Sequence, residues 1–323
     1  VLILLEGPDG GGKSTLAEAL CTVWGSSGTR DEFHLIHTGP PDPPDRCIFE
    51  EYELQLDALA ERCVSSGELV IMDRWHLGDP VYARYRAIPK NRTTPAGVLH
   101  IDMAISALGV KVMCLPPLKV IQERVARDGD WLISQDDLPR IHAEYATMAD
   151  LYGYIVPNWQ LDPSVAAKSL IRRAFGRAHL AAPLWTASAG TYIGSTQPNV
   201  VFAGDELGGS TEKGTCLGFR RPFTPKLPGS CSEWLLRALL AAGNGIVSNC
   251  GLVNANQPGV GLAKLRQLTP SARWVALGQR SARALESAGI SHRVEQHPQY
   301  ARRFRHSDLA GYAAELAAAA EAQ

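Results

Sequence analysis

Glu6-Gly7-Pro8-Asp9-Gly10-Gly11-Gly12-Lys13-Ser14-Thr15 sets four glycines, a lysine and two hydroxyls within ten positions. The spacing Gly7-x4-Gly12-Lys13-Ser14 fits G-x-x-x-x-G-K-[ST], a loop that cradles phosphates. Glycines let a backbone turn tightly and aim several N–H groups at one anion. Lys13 is placed to reach the β- and γ-phosphates of ATP, and the Ser14 hydroxyl suits Mg²⁺, so the chemistry expected is phosphoryl transfer. The expected phosphate-binding set is Gly7, Gly10, Gly11, Gly12, Lys13, Ser14 and Thr15. Asp73-Arg74 ends the short apolar run 69–72. In open α/β sheets ligands gather beyond the strand C-termini, so this pair should face the loop. Asp73 either holds the metal with Ser14, through water, or orients the acceptor. Arg124 and Arg127 add cations for a charge-rich transition state, although beside Glu123 and Asp128 they also fit a solvated helix face.

Strands and helices must alternate to hold these groups. An apolar run at 1–5 precedes the loop, and a helix to about 24 follows. The spacing predicts strands at 33–37, 69–72 and 111–115, with 160–162 closing the sheet. Helices are expected at 50–65, 98–108, 118–127 and 164–177, the last capped by Asp162 or Ser164. This order implies an α/β fold, a doubly wound parallel sheet over 1–178. Residues 179–195 read as a linker. Over 196–323 a second, smaller α/β domain is expected, with strands at 199–203, 245–249, 273–277 and 292–296 and helices at 231–242, 278–288 and 307–322.

A chain of 323 residues fits two domains. No apolar run reaches the ~18 residues a membrane span needs, and seven scattered cysteines without C-x-x-C argue against zinc or a disulfide framework. The expectation is a cytoplasmic protein with no membrane partner. Residues 1–178 carry 18 Lys+Arg against 24 Asp+Glu, and residues 179–323 carry 14 against 9. The basic second half could meet a polyanion such as DNA, or simply be a solvated surface.

The stretch Glu6–Thr15 resembles the E-G-x-D-G-x-G-K-[ST]-T of thymidylate kinases. Asp73-Arg74-Trp75, followed by Asp79-Pro80-Val81-Tyr82, resembles their D-R-[YFHW] segment, and Arg124-x-x-Arg127 with Asp130 their lid. The resemblance implies that Asp9 touches the acceptor's sugar, that Arg74 holds its phosphate, and that Arg124 and Arg127 bridge donor and acceptor. Trp131 departs from the lid pattern, and 89–92 does not match. His34, His37 and the Gly39-Pro40-Pro41 loop are similar to thymidylate-kinase-like proteins of actinobacterial phages, a group in which some members phosphorylate 5-hydroxymethyluracil in DNA.

The second half resembles the uracil-DNA glycosylase superfamily through Gly204-Asp205-Glu206-Leu207-Gly208, Val275-Ala276-Leu277-Gly278-Gln279-Arg280-Ser281-Ala282 and His297-Pro298-Gln299-Tyr300. Leu207 and Gln299 depart from the usual proline and serine, and an iron–sulfur cysteine set is missing. The resemblance implies that Glu206 or Asp205 directs water at the sugar and that His297 stabilises an expelled base. Asn249, beyond the expected second strand, would read the base. Arg302, Arg303 and Arg305 would meet phosphates.

Four readings follow: a kinase of a free thymidylate-type nucleotide, a kinase of a hydroxymethylated base in DNA, a protein with two activities, and a kinase tethered by a nucleic-acid-binding module. The motifs favour the first slightly over the second.

Overall fold

The computed structural model describes residues 1–26, 33–37, 68–85, 94–128, 134–205, 230–305 and 308–321, with isolated positions among 52–63 and at 223 and 225. The chain divides into two compact units, residues 1–94 with 108–179, and residues 95–107 with 180–323.

In chain order the elements are β1 (Leu2–Glu6), α1 (Lys13–Ser26), β2 (Phe33–His37), β3 (Leu69–Asp73), α2 (Gly78–Tyr82), α3 (Pro95–Ser106), β4 (Gly109–Met113), α4 (Leu118–Asp128), α5 (Leu138–Tyr152) and α6 (Pro163–Ala187). The first unit holds a parallel sheet in the order β2-β3-β1-β4. Central β1 is LILLE, buried at every position, as a strand covered on both faces should be. Its register places Leu5 beside both Asp73 and Val112. The loop after β1 therefore leaves the sheet level with the end of β3. Ile3 and Leu5 point to one face and pack with Leu16 and Leu20 of α1 and Leu170 and Ala174 of α6. Trp24 stacks on Phe175 at 5.4 Å, tying α1 to α6.

Three expectations change here. Residues 160–162 form no strand; the sheet's extra position is a single bridge between Val112 and Ile155. The expected linker at 179–195 is largely the end of α6 followed by β5 (Ile193–Gly194). Helix α3, read as part of the first sheet's alternation, belongs to the second unit, where it packs on β5 and α7 (Cys231–Ala242). All ten residues from Ala96 to Ile105 are buried, so its sequence has no polar face to assign it to one sheet.

The second unit continues with β6 (Val200–Gly204), α7, α8 (Asn244–Val247), β7 (Cys250–Asn254), α9 (Leu262–Leu268), β8 (Arg273–Leu277), α10 (Gln279–Ser287), β9 (Arg293–Glu295), α11 (Pro298–Arg305) and α12 (Leu309–Glu321). Its sheet runs β5-β7-β6-β8-β9, with only β5 antiparallel. β7 lies on one side of β6 and β8 on the other, so the order reverses at β6. That is where α/β sheets open a crevice at their C-terminal edge.

The strand expected at 245–249 is displaced. Residues 244–247 form the short helix α8, and β7 starts at Cys250. Two short apolar runs lie side by side here, and only pairing selects the second. Gly251 has no room for a Cβ against Tyr192, whose hydroxyl bonds Ser195 O at 2.6 Å.

Candidate active site

The phosphate loop connects β1 to α1 and is pressed against the end of β4. A Cβ on Gly11 would sit 2.6 Å from Cys114 O, and Gly7 is equally confined with φ of 137°. Only glycine fits these two places. Lys13 and Ser14 open α1, so the helix's positive end faces the loop. Lys13 is buried, and its Nζ donates to Gly7 O at 3.0 Å and Pro8 O at 2.7 Å. The ammonium thus sits across the loop's mouth.

A cleft of about 520 Å³ opens above. The structure brings Asp9, Gly10, Gly12, Lys13, Ser14, Thr15, Asp73 and Arg74 to its walls, with Arg124 and Arg127 from α4. Asp73 is buried at the end of β3, and its Oδ1 has no hydrogen-bond partner among the described residues. A solvated Ser14 hydroxyl and an unsatisfied carboxylate oxygen on one cleft are the donor set a hydrated Mg²⁺ takes when phosphates supply its other ligands. Among the described residues no three His, Cys, Asp or Glu side chains could hold a metal by themselves. His37 also enters this cleft, its Nδ1 3.1 Å from Asp73 Oδ2.

Arg74 occupies a left-handed backbone conformation, φ 66°, unusual for a residue with a side chain. Its N–H donates to Leu5 O at 2.8 Å. The next N–H groups, of Trp75 and Leu77, donate to Glu6 Oε1 at 2.9 and 3.2 Å. Glu6 is fully buried, and burial raises its pKa, against the opposing field of His76 and the two backbone bonds. The carboxyl therefore clamps the turn that aims Arg74. The guanidinium pairs with Asp9 Oδ1 and lies over the Tyr82 ring, 5.3 Å from its centroid. Tyr82 donates to Asp9 Oδ2 at 3.2 Å. Asp9, Arg74 and Tyr82 thus form one wall facing the phosphate loop. The roles of Glu6 and of the Tyr82 hydroxyl were not drawn from the sequence. Burial beside a charged turn was the missing information.

Arg124 NH1 donates to Gly10 O at 2.9 Å and stays over the loop. Arg127 instead makes a bidentate pair with its exposed neighbour Asp128 at 2.7 and 2.9 Å. Of these two arginines, only Arg124 hydrogen-bonds the loop. Asp130, Trp131 and the stretch 89–92 lie outside the described residues, as does the Gly39-Pro40-Pro41 loop. A second hollow of about 100 Å³ lies on the other side of the loop, between Arg124 and the turn Pro157-Asn158-Trp159. Arg124, Pro157 and Trp159 are among the residues that line it. Sequence reading assigned this turn no function.

In the second unit the strand ends bring Asp205, Asn254, Asn256, Arg280 and His297 to one edge. Asp205 Oδ1 accepts from Asn256 Nδ2 at 2.6 Å, and its Oδ2 pairs with Arg280 at 2.9 Å. His297 Nδ1 accepts the Gln299 N–H at 3.1 Å, which leaves the neutral ring's proton on Nε2. Burial lowers the His297 pKa, partly offset by Asp205, and so favours this neutral donor. Asn249 is corrected: it lies before β7, at the opposite end of the sheet, and its Nδ2 donates to Gly245 O and Ser248 Oγ. Asn254 ends β7 instead. It is buried, and its Nδ2 has no partner among the described residues. It flanks Gly204 together with the ring of Phe223. Glu206 lies outside the described residues.

No protein-family model matches the chain. Thymidylate kinase from Xanthomonas campestris pv. campestris, strain B100, is 28% identical over 194 residues, covering 54% of this chain and 81% of the relative. Those of strains 8004 and ATCC 33913 match to the same extent. The chain is a phosphotransferase of the nucleotide-kinase class. Among solved structures, the YorR protein of Bacillus subtilis, in complex with phosphorylated GDP, is 24% identical with a TM-score of 0.42, over 53% of this chain and 94% of that one. Deoxyadenosine kinase from M. mycoides is 17% identical with a TM-score of 0.32, over 53% and 97%. Each of these matches covers about half the chain, and the likeness to thymidylate kinase falls on its N-terminal half. Among the described residues no helix is long and apolar enough to cross a membrane.

Proposed function

We propose that the first unit transfers the γ-phosphoryl group of ATP to a thymidylate-type pyrimidine nucleotide, dTMP or 5-hydroxymethyl-dUMP, and that the second unit binds a base or DNA. The observation that carries the kinase reading is the single cleft onto which Lys13, Ser14, Asp73, Arg74 and Arg124 converge. The loop amides and Lys13 hold the β- and γ-phosphates, and Arg124 faces the group in transit. Ser14, and Asp73 through water, would hold Mg²⁺, which would neutralise the oxygens that gain charge. Arg74 meets the acceptor phosphate after exchanging Asp9 for it, which frees Asp9 and Tyr82 for the sugar. The thymidylate kinase relatives support this acceptor.

One observation favours a second acceptor, the hydroxyl of 5-hydroxymethyluracil within DNA. A phosphate acceptor needs no general base, whereas a hydroxyl benefits from one. His37 beside Asp73 in the cleft is such a group. The Asn254 amide, the Phe223 ring and the His297 Nε2 proton in turn suit an unpaired pyrimidine in the second unit.

The test offers γ-labelled ATP and Mg²⁺ with three acceptors: dTMP, 5-hydroxymethyl-dUMP and DNA containing 5-hydroxymethyluracil. Label in the free nucleotides is the expected result. Label confined to DNA replaces it with the second reading, and label in none of the three removes both.

A further inference from the structure

Helix α11 follows His297 directly and packs on α7 through one side, with Ala301 fully buried. Its other side is unusual. Tyr300 and Phe304 are 53% and 70% exposed, although aromatic side chains of this size normally bury. They lie one turn apart with ring centroids 4.6 Å apart and planes tilted by 39°. The exposed Arg303 shares their helix face by its spacing, and Arg302 is half-exposed beside it. No carboxylate among the described residues pairs with either arginine, whereas Arg280 and Arg293 pair with Asp205 and Glu295. Two open ring faces flanked by two uncommitted guanidinium groups match a strand of unpaired bases joined by phosphates.

We propose that the Tyr300–Phe304 face of α11 is a stacking platform for single-stranded nucleic acid, holding the bases that flank the one presented to the Asn254 edge. Unpaired bases stack on Tyr300 and Phe304, and Arg302 and Arg303 meet the phosphates between them. Bases in a duplex keep their faces covered, so duplex DNA gains only the arginine contacts. The placement of the flanking bases rests on the reading of the second unit as a base-binding unit. The platform itself rests on α11 alone.

The experiment measures fluorescence anisotropy of labelled oligothymidylate, oligouridylate and a duplex with the full-length protein over a salt series. Expected is a preference for single strands over duplex. The double variant Tyr300→Ala, Phe304→Ala should weaken single-strand binding by about tenfold or more, while Tyr300→Trp, Phe304→Trp retains it. Arg302→Ala with Arg303→Ala should flatten the salt dependence of log Kd by roughly 1.4, about 0.7 per lost phosphate contact. Tyr300, Arg303 and Phe304 are exposed and Arg302 is half-exposed, so melting and phosphoryl transfer to free nucleotide should stay as in the wild type. Equal affinity of the double alanine variant, or equal affinity for duplex and single strand, overturns the platform. So does conversion of an oligomer to monomer in the aromatic variant with unchanged oligonucleotide affinity, which would make the face a contact between copies of the chain. Titration of free 5-hydroxymethyluracil into wild type and Asn254→Ala tests the base-binding reading separately, because neither α11 aromatic enters that measurement.

Discussion

In the first unit the phosphate cradle is one contiguous stretch, residues 7–15, whereas in the second the candidate pocket is drawn from four strand ends, at Asp205, Asn254, Arg280 and His297. Both edges lie where parallel strands finish, and both use a carboxylate held by an arginine: Asp9 with Arg74, and Asp205 with Arg280. In the first unit that pair lines a cleft whose lysine and loop amides are set for phosphate. In the second, the partners of Asp205 come from two neighbouring strands, and the groups left available are an amide, a ring and an imidazole. On the proposed function, the first edge stabilises moving charge and the second recognises shape and hydrogen-bonding pattern.

The sharpest way to break that contrast is Lys13→Ala. The first unit should lose about 10²- to 10³-fold in kcat, as expected when a preorganised charge is removed from the transition state. Binding of free pyrimidine base by the second unit should be unchanged. Parallel phosphoryl-transfer and base-titration measurements check both halves, and full activity of the variant would end the phosphate-loop assignment.

Asn254→Ala is the reciprocal change. It should weaken base binding by roughly tenfold, about the loss of one or two well-formed hydrogen bonds, and leave phosphoryl transfer to free nucleotide intact. Asn249→Ala is its control and should do nothing to base affinity, because Asn249 sits at the far end of β7. A base affinity that follows Asn249 rather than Asn254 would mean that the pocket lies elsewhere.

These two asparagines also show what a sequence can and cannot disclose. The phosphate loop was legible because its geometry is local: glycine spacing, a strand before it and a helix after it define which amides converge. The alternation of strands and helices in both units was legible for the same reason. The reading of Asn249 failed because two short apolar runs, 245–247 and 250–254, each look like a strand, and pairing with β6 and β5 selects the second. Helix α3 was assigned to the first sheet because its neighbours in sequence are there. An element that is buried all round, His100 and Asp102 included, carries no mark of which core it joins. Glu6 opened the loop motif without a role of its own, and only the fold shows that it holds two N–H groups of the turn bearing Arg74.

Glu6 gives a smaller and more specific test. Its folded-state pKa lies above the ordinary carboxylate value, chiefly because of burial. As pH rises above the unfolded value of 4.5, the unfolded chain releases this proton before the folded chain does. Stability therefore falls with rising pH through that window and levels off once the folded group ionises. Glu6→Gln keeps the Oε1 acceptor for Trp75 and Leu77 and has nothing to titrate. Its melting temperature relative to wild type should rise from pH 4.5 upward and then plateau. A gap that is flat or shrinks with pH would show that the folded state holds Glu6 charged without cost. Glu6→Ala leaves two buried donors unpaired and should lower kcat/KM by releasing Arg74, which Glu6→Gln should not do.

The smallest expected effect separates the two arginines of α4, Arg124 and Arg127. Arg124 bonds Gly10 O over the phosphate loop, while Arg127 is held by Asp128 on an exposed surface. An exposed pair between neighbours has water as an equal alternative for both partners, so its loss disturbs little. Arg127→Ala should leave kcat/KM within about threefold of wild type, and Arg124→Ala should cost about tenfold or more, since the lost guanidinium faces the transferring group. Asp128→Asn makes the distinction sharper, because it releases Arg127 without removing it. If Arg127 serves the reaction once freed, Asp128→Asn raises kcat and Arg127→Ala abolishes that gain. If Arg127 is only a surface group, both variants match wild type. The structure favours the second outcome: the Arg127 fork is satisfied by Asp128 in cis, and the loop already has a cation in Arg124.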